Sequence, residues 1–87
     1  MHATDVPTTT TLIGEAKTQQ DLETDHSRQQ ISAFLDYLAS TPRGIFVLAV
    51  PFAAGATARR LIAELRTPYG EAPTSIVVLD GSESLAR

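Results

Sequence analysis

The sequence predicts an α/β fold, with a small mixed β-sheet whose elements follow the order β-β-α-β-α-β. Two segments, residues 45–50 and 75–79, are almost entirely apolar, which is typical of strands buried on both faces and paired in parallel. Two further segments carry apolar residues at helical spacing, and one of them lies between the two apolar strands. Strand–helix–strand connections of this kind join parallel neighbours. A chain of 87 residues has room for a single domain, residues 1–87.

The chain is expected to open with a β-hairpin. A short strand at residues 2–6 leads into a turn at Pro7, which fixes φ and cannot donate to a ladder. A second strand at residues 9–18 begins with β-branched threonines, which favour strands. This hairpin would add an antiparallel pair to the parallel strands, and so the predicted sheet is mixed. The polar residues 19–25 are predicted to form a loop.

Two amphipathic helices are predicted after the hairpin. The first begins at Ser27, because Ser27 and Gln30 match the spacing of a capping box. It ends at residues 41–44, which contain a proline and a glycine. The second helix is predicted over residues 53–66. The apolar faces of the two helices consist of Ile31, Phe34, Leu35 and Leu38 in the first and Ala58, Leu61, Ile62 and Leu65 in the second.

Composition limits the class of protein. The chain has no cysteine, which excludes a disulfide framework and a thiolate metal site and is typical of a reducing compartment. No apolar run reaches the roughly 18 residues that a membrane span requires. We therefore expect a cytoplasmic protein without a membrane partner. The formal net charge of −3 argues against a general DNA-coating protein, but it is compatible with a nuclease whose carboxylates bind metal ions.

The segment most informative about function is the end of the second predicted strand. Glu15 and Lys17 lie two residues apart, so both side chains project to the same face of a strand. Glu15 is a candidate oxygen ligand for Mg²⁺ or Mn²⁺, and the Ala16 carbonyl could complete the protein ligands. Asp5, if the hairpin brings it alongside, is the candidate for a second carboxylate. Lys17 could orient a water molecule or stabilise charge that develops on a phosphate.

Residues 14–18 resemble the second motif of the PD-(D/E)xK nuclease superfamily, the fold of many restriction and repair nucleases. Asp5 lies where the aspartate of the first motif would lie, and Gln30 with Phe34 resembles the Gln-x-x-x-aromatic pattern of some branches. The resemblance covers residues 2–52. It implies a restriction-endonuclease-like core that hydrolyses DNA phosphodiester bonds with Mg²⁺ or Mn²⁺ as cofactor. The implied catalytic residues are Asp5, Glu15, Lys17 and Gln30, and the implied metal ligands are Asp5, Glu15 and Ala16.

The resemblance is incomplete at the N-terminus. Thr4 stands where the family has a proline before its first aspartate. The given sequence begins almost at the first motif, so the first helix and strand of the usual core are expected to be absent from it. The alternative is a catalytically incomplete nuclease-fold module, which binds a partner chain or associates with itself as a homodimer or other homo-oligomer. An open edge strand offers unpaired N–H and C=O groups for such association.

The same residues also have purely structural interpretations. Glu15 and Lys17 could form a solvated strand face, and Gln30 could serve only the predicted capping box. Asp80, which follows the last predicted strand, is expected in a turn with Gly81, although it could also mark a site at the carboxyl edge of a parallel sheet.

A third hypothesis is a nucleotide-binding α/β domain. Residues 53–56 follow a buried strand and open a helix, so an anion could bind at that N-terminus. The sequence contains neither G-x-x-x-x-G-K-[ST] nor G-x-G-x-x-G, the two phosphate-binding motifs that would support this hypothesis. Arg59 and Arg60 in the same helix are expected on its solvated face, with a phosphate contact as the alternative.

Overall fold

A computed structural model describes residues 10–70 and 72–82 of the chain. Its three parallel strands form one sheet in the order β1-β2-β3, with β1 at Thr11–Ala16, β2 at Gly44–Ala49 and β3 at Thr74–Leu79. The α/β class, with parallel strands joined through helices, is therefore confirmed. The strand predicted at residues 2–6 lies outside the described residues, so the antiparallel hairpin stays a prediction.

The segment predicted to be a loop contains a short helix, α1 (Gln19–Leu22). Thr18 caps this helix: its hydroxyl accepts a hydrogen bond from the Asp21 N–H at 3.1 Å, and the Asp21 carboxylate accepts one from the Thr18 N–H at 3.2 Å. Leu22 is buried in the core. The loop prediction for residues 19–25 is wrong, because a capping box and one buried leucine stabilise a helical turn that is too short to form alone.

The next helix, α2 (Asp25–Ala39), begins before the predicted cap. Its N-cap is Thr24, whose hydroxyl accepts a hydrogen bond from the Ser27 N–H at 3.1 Å. Ser27 lies inside the first turn of the helix and is buried. The capping box predicted for Ser27 and Gln30 is therefore wrong, and Gln30 makes a different contact, described below.

The last helix, α3 (Gly55–Leu65), lies within the predicted span and follows β2 through a 3₁₀ turn at Phe52–Ala54. A second 3₁₀ turn at Thr67–Tyr69 leads towards β3. After β3 the chain turns at Gly81, whose φ of 91° lies in the left-handed region that glycine tolerates. Within the described part of the chain, no helix combines the length and the apolar content needed to cross a membrane.

One face of the sheet carries the hydrophobic core. Phe46 and Leu48 of the central strand are fully buried there, and the ring centroid of Phe46 lies 5.9 Å from that of Phe34. Burying a side chain of this size contributes about 1.5–3 kcal/mol, so this layer holds the helices on the sheet. The helices contribute the buried residues Leu22, Ile31, Leu35, Leu38, Ala58, Leu61 and Ile62.

The other face of the sheet is open to solvent in residues 10–70 and 72–82. Leu12 is 59% exposed, and Val77 and Leu79 are also exposed. The prediction that the two apolar strands are buried on both faces is wrong for the described chain, because the helical core residues contact only the opposite face. We call this surface the open face; its residues are Leu12, Gly14, Ala16, Ile45, Val47, Ala49, Ser75, Val77 and Leu79.

Candidate functional site

Glu15, Lys17 and Gln30 lie together at the carboxyl end of β1. The Lys17 Nζ donates a hydrogen bond to the Gln30 Oε1 at 2.5 Å. The same Nζ lies 3.9 Å from the Glu15 Oε1, at the outer limit of an ion pair. Three of the residues that the sequence singles out thus meet at one point, although Gln30 is 13 residues from Lys17 in the chain.

Two consecutive helix caps bring Gln30 over Lys17. The Lys17 N–H, just past the end of β1, donates to the Ala49 carbonyl at 2.9 Å, which anchors the lysine backbone on β2. Thr18 then caps α1 and Thr24 caps α2. The chain turns at these caps, α2 packs on β2, and Gln30 in the second turn of α2 reaches the lysine ammonium.

The Lys17 ammonium is held by a neutral partner at hydrogen-bond distance, and its nearest carboxylate is farther away. The lysine side chain is 12% exposed, whereas the Glu15 side chain is 27% exposed. An amide oxygen orients an ammonium without neutralising it. The Glu15 carboxylate is therefore partly exposed to solvent, beside a lysine ammonium whose closest partner is a neutral amide.

Glu15 and Ala16 offer oxygen ligands on adjacent residues. In the trans peptide between Ala16 and Lys17, the C=O points opposite to the N–H. Because the Lys17 N–H donates to β2, the Ala16 carbonyl points towards the outer edge of β1. A carboxylate beside a backbone carbonyl suits a hard cation such as Mg²⁺, which takes oxygen ligands and keeps several waters.

The second predicted carboxylate ligand, Asp5, lies outside the described residues. Among residues 10–70 and 72–82, no group of three or more acidic or histidine side chains could hold a metal ion by itself. One carboxylate and one carbonyl are oxygen donors of the kind that Mg²⁺ takes, but among the described residues they do not form a metal site without a further carboxylate or a substrate phosphate.

A second polar cluster lies at the carboxyl end of β3. The Arg59 Nη1 donates to the Asp80 Oδ2 at 3.0 Å. Ser82 donates to the Asp80 Oδ1 twice, from its hydroxyl at 2.6 Å and from its N–H at 3.0 Å. Asp80 is only 6% exposed. The Ser82 hydrogen bonds, with a smaller contribution from Arg59, hold the pKa of the Asp80 carboxyl well below its usual range.

This cluster changes the interpretation of two residues. Arg59 lies on the solvated helix face, as predicted, and its guanidinium also forms an ion pair with the buried Asp80, which was not predicted. Asp80 does lie at a turn, but its carboxylate ties that turn to α3. No local pattern could have indicated this pair, because the two residues are 21 apart in sequence. Arg60 is exposed, as predicted.

The Asp80 carboxylate also lies against the start of α3. A Cβ atom on Gly55, the first residue of α3, would collide with the Asp80 Oδ2 and would lie 2.8 Å from the Arg59 Nη1. A carboxylate of the chain itself therefore lies at the helix N-terminus where a bound anion was hypothesised. This position argues against the nucleotide-binding hypothesis for residues 53–56.

An exposed aromatic ring and an apolar depression lie near the same edge of the sheet. Phe52, which begins the 3₁₀ turn after β2, is 68% exposed. The sequence does not indicate that Phe52 is exposed, because an aromatic residue that follows an apolar strand would be expected in the core. The depression is lined by Ala16, Lys17, Thr18, Ala49, Val50 and Pro51.

Comparison of the chain with models of protein families, with curated proteins and with solved structures returned no match. The functional interpretation therefore depends on the side-chain geometry at the ends of the strands. The PD-(D/E)xK resemblance stays a prediction that is based on the motif residues.

Proposed function

We propose that this chain hydrolyses DNA phosphodiester bonds in a metal-dependent reaction of the PD-(D/E)xK type. The observation that carries the proposal is the hydrogen bond between Lys17 and Gln30. The Lys17 ammonium donates to the Gln30 amide oxygen and stays within ion-pair distance of the Glu15 carboxylate, at 3.9 Å. The contact supports the proposal because it joins three of the four residues to which the resemblance assigns a catalytic role.

Each residue has a defined role in the proposed reaction. The Glu15 carboxylate and the Ala16 carbonyl would hold the metal, with Asp5 as the second carboxylate. Bound Mg²⁺ or Mn²⁺ supplies a polarised phosphoryl group and a water of lowered pKa. Lys17 orients the attacking water or stabilises the negative charge that develops on the phosphate. Gln30 is a positioning residue, because its amide sets the direction of the lysine ammonium.

The proposal extends to the part of the fold that precedes β1. A strand at residues 2–6 would pair with the outer edge of β1, where the Ala16 carbonyl points, and would complete the mixed sheet of a restriction-endonuclease-like core. An edge strand presents a row of backbone groups that can accept such a partner. The protein would then act on DNA in the cytoplasm.

Cleavage assays with matched variants test the proposal. The purified protein is incubated with linear, circular and branched DNA, with Mg²⁺ or Mn²⁺ and with a chelator. We expect cleavage that requires metal, disappears in Glu15→Gln and Lys17→Ala, and persists in Glu64→Gln. Glu64 is the matched control because it is an exposed glutamate on α3 that pairs with Arg28. Cleavage by Lys17→Ala at the rate of the parent would refute the mechanism.

The open face favours a second candidate, a catalytically incomplete module that binds a partner chain or a second copy of itself. Parallel sheets are normally covered on both faces, and exposed apolar surfaces of this kind mark interaction sites. Sedimentation velocity over a wide range of concentrations tests self-association. A strictly monomeric chain that also cleaves DNA in a Glu15-dependent manner would rule out this candidate.

A further inference from the structure

Phe52 is the most exposed large apolar side chain among residues 10–70 and 72–82. It lies in the connection from the central strand β2 to α3, at the carboxyl edge of the sheet. Ligands of open parallel sheets bind at this edge. A phenylalanine ring kept in water at a ligand-binding edge is available to contact a ligand, and the protein core does not use it.

Phe52 lies close to the Lys17 site. The Lys17 N–H donates to the Ala49 carbonyl, so Lys17 lies beside Val50 in the extension of the parallel ladder. Phe52 follows Val50 by two residues, and the Cα atoms of Phe52 and Lys17 are therefore no more than roughly 12 Å apart. The apolar depression extends from Lys17 to Pro51, the residue before Phe52. A residue at this distance could contact a nucleotide that flanks a phosphate at Lys17.

The charge of the chain indicates why an apolar contact matters here. Phosphate contacts dominate the affinity of most nucleic-acid-binding proteins, yet this chain has a net charge of −3 and only seven Lys and Arg residues. Arg28 and Arg59 are already paired with Glu64 and Asp80. Stacking of bases on aromatic rings adds affinity without a cation, and it accepts every base because each has a π face.

We propose that Phe52 stacks on an unpaired base of the nucleic acid whose phosphate lies at Lys17. The base must be unpaired, because the bases of a duplex stack on each other and present only their edges in the grooves. The inference rests on the proposed nuclease function and narrows its substrate to DNA that has an unpaired nucleotide beside the scissile bond. Single strands and flaps meet this requirement, and a continuous duplex does not.

Binding measurements without cleavage test this proposal. Fluorescence anisotropy of the Glu15→Gln protein is recorded with a labelled oligothymidylate of about 12 nucleotides and with a blunt duplex of the same length. We expect the additional Phe52→Ala change to weaken binding of the single strand by roughly tenfold or more relative to the Glu15→Gln protein. Its affinity for the duplex should stay within roughly twofold of that of the Glu15→Gln protein. The loss should persist at high salt, since stacking releases no counterions.

Three further variants define the origin of the effect. Phe52→Trp should retain the affinity, and Phe52→Leu should lose it, because leucine keeps the apolar character without the ring. Tyr37→Ala removes another exposed aromatic residue, on α2, and should leave binding unchanged. A series of oligothymidylates carries a single abasic nucleotide at successive positions. At one of these positions the missing base should weaken binding by the parent protein, and it should cause no further loss of affinity in Phe52→Ala.

The outcomes separate this proposal from the nuclease mechanism. Equal single-strand binding by Phe52→Ala and its parent, or equal losses for single strand and duplex, would overturn the stacking proposal alone. If Lys17→Ala cleaves normally while binding follows Phe52 as expected, the nuclease mechanism fails and the stacking contact stands. Circular dichroism confirms that each variant is folded, which we expect because the Phe52 side chain is outside the core.

Discussion

The two outer strands of the sheet both end in a carboxylate, a cation and a neutral hydrogen-bonding group, but the groups are arranged differently. At the end of β3, Asp80 is almost completely buried and contacts Arg59 at 3.0 Å. At the end of β1, Glu15 lies 3.9 Å from Lys17, and the lysine bonds to Gln30 instead. The β3 cluster pairs its charges in direct contact, whereas in the β1 cluster the anion and the cation form a longer ion pair and the cation donates to an amide.

This comparison separates a cluster that links elements of the fold from one that we propose to act on a ligand. A buried carboxylate that accepts hydrogen bonds from its own chain links elements of the fold and has little capacity for a ligand. An accessible carboxylate beside an ammonium oriented by an amide can bind a metal ion and a phosphate at once. We therefore expect variants at the β3 end to change stability and variants at the β1 end to change activity.

The largest expected effect is the loss of the Lys17 charge. Lys17→Met keeps an unbranched apolar stem, and we expect the DNA cleavage rate to fall roughly 100-fold or more with little change in Tm. Arg59→Met should do the opposite, lowering Tm because the buried Asp80 loses its cation, while the folded protein cleaves within a few-fold of the parent. Cleavage rates and Tm values are measured for both variants. Similar losses of cleavage rate in Lys17→Met and Arg59→Met would contradict the assignment of activity to the β1 end and stability to the β3 end.

The next effect concerns the close approach of Asp80 to α3. Gly55→Ala should lower the free energy of unfolding by about 1–3 kcal/mol, because the added methyl group forces the Asp80 carboxylate to move. Gly14→Ala on β1 is the matched control, since a Cβ atom there meets nothing within 4 Å. It should be neutral or slightly stabilising. Urea unfolding compares the two, and equal stabilities would mean that the Asp80 cluster adapts to the extra volume.

Acid should weaken the β3 cluster specifically. The pKa of Asp80 is lower in the folded protein than in the unfolded chain. The stability that the ionised Asp80 carboxylate contributes is therefore fully present at pH values well above its unfolded pKa of about 3.9. It is lost as the pH falls below that value towards the folded pKa. Between about pH 5 and pH 2, the parent should therefore lose more stability than Asp80→Asn, measured by urea unfolding. Parallel pH profiles would contradict this account.

The smallest expected effect is that of the ion pair between Arg28 and Glu64. The Arg28 Nη2 lies 2.7 Å from the Glu64 Oε1, closer than in the Arg59–Asp80 pair, but both side chains are largely exposed. A double-mutant cycle of Arg28→Ala and Glu64→Ala should give a coupling of about 0.2–1 kcal/mol that decreases with salt. A larger, salt-insensitive coupling would mean that distance matters more than burial in this protein.

The sequence predicts those features that depend on local patterns. The period of apolar residues predicts α2 and α3, and the alternation along a strand puts Glu15 and Lys17 on one face. The true cap of α2 could not be chosen in this way, because Thr24 and Ser27 are both acceptable caps and only the burial of Ser27 decides between them.

Features that depend on distant residues could not be predicted. The apolar pattern of β2 and β3 does not reveal that one of their faces is open, because a half-covered strand can have the same sequence as a fully buried one. The pair of Arg59 with Asp80 has no local signal. Within the candidate site, the spacing indicates that Glu15 and Lys17 are close, whereas the contact with Gln30 depends on the path of the chain through α1 and α2.

The short path from Lys17 to Gln30 has a consequence for the dynamics of the protein. This contact is formed within β1, α1 and α2, and its backbone support comes from β2. The Arg59–Asp80 contact instead requires α3 and β3 to be docked. Local opening that releases β3 would break the second contact and preserve the first, and hydrogen exchange would detect it as earlier loss of protection in β3 than in β1. The candidate site would then keep its geometry while another part of this small domain fluctuates.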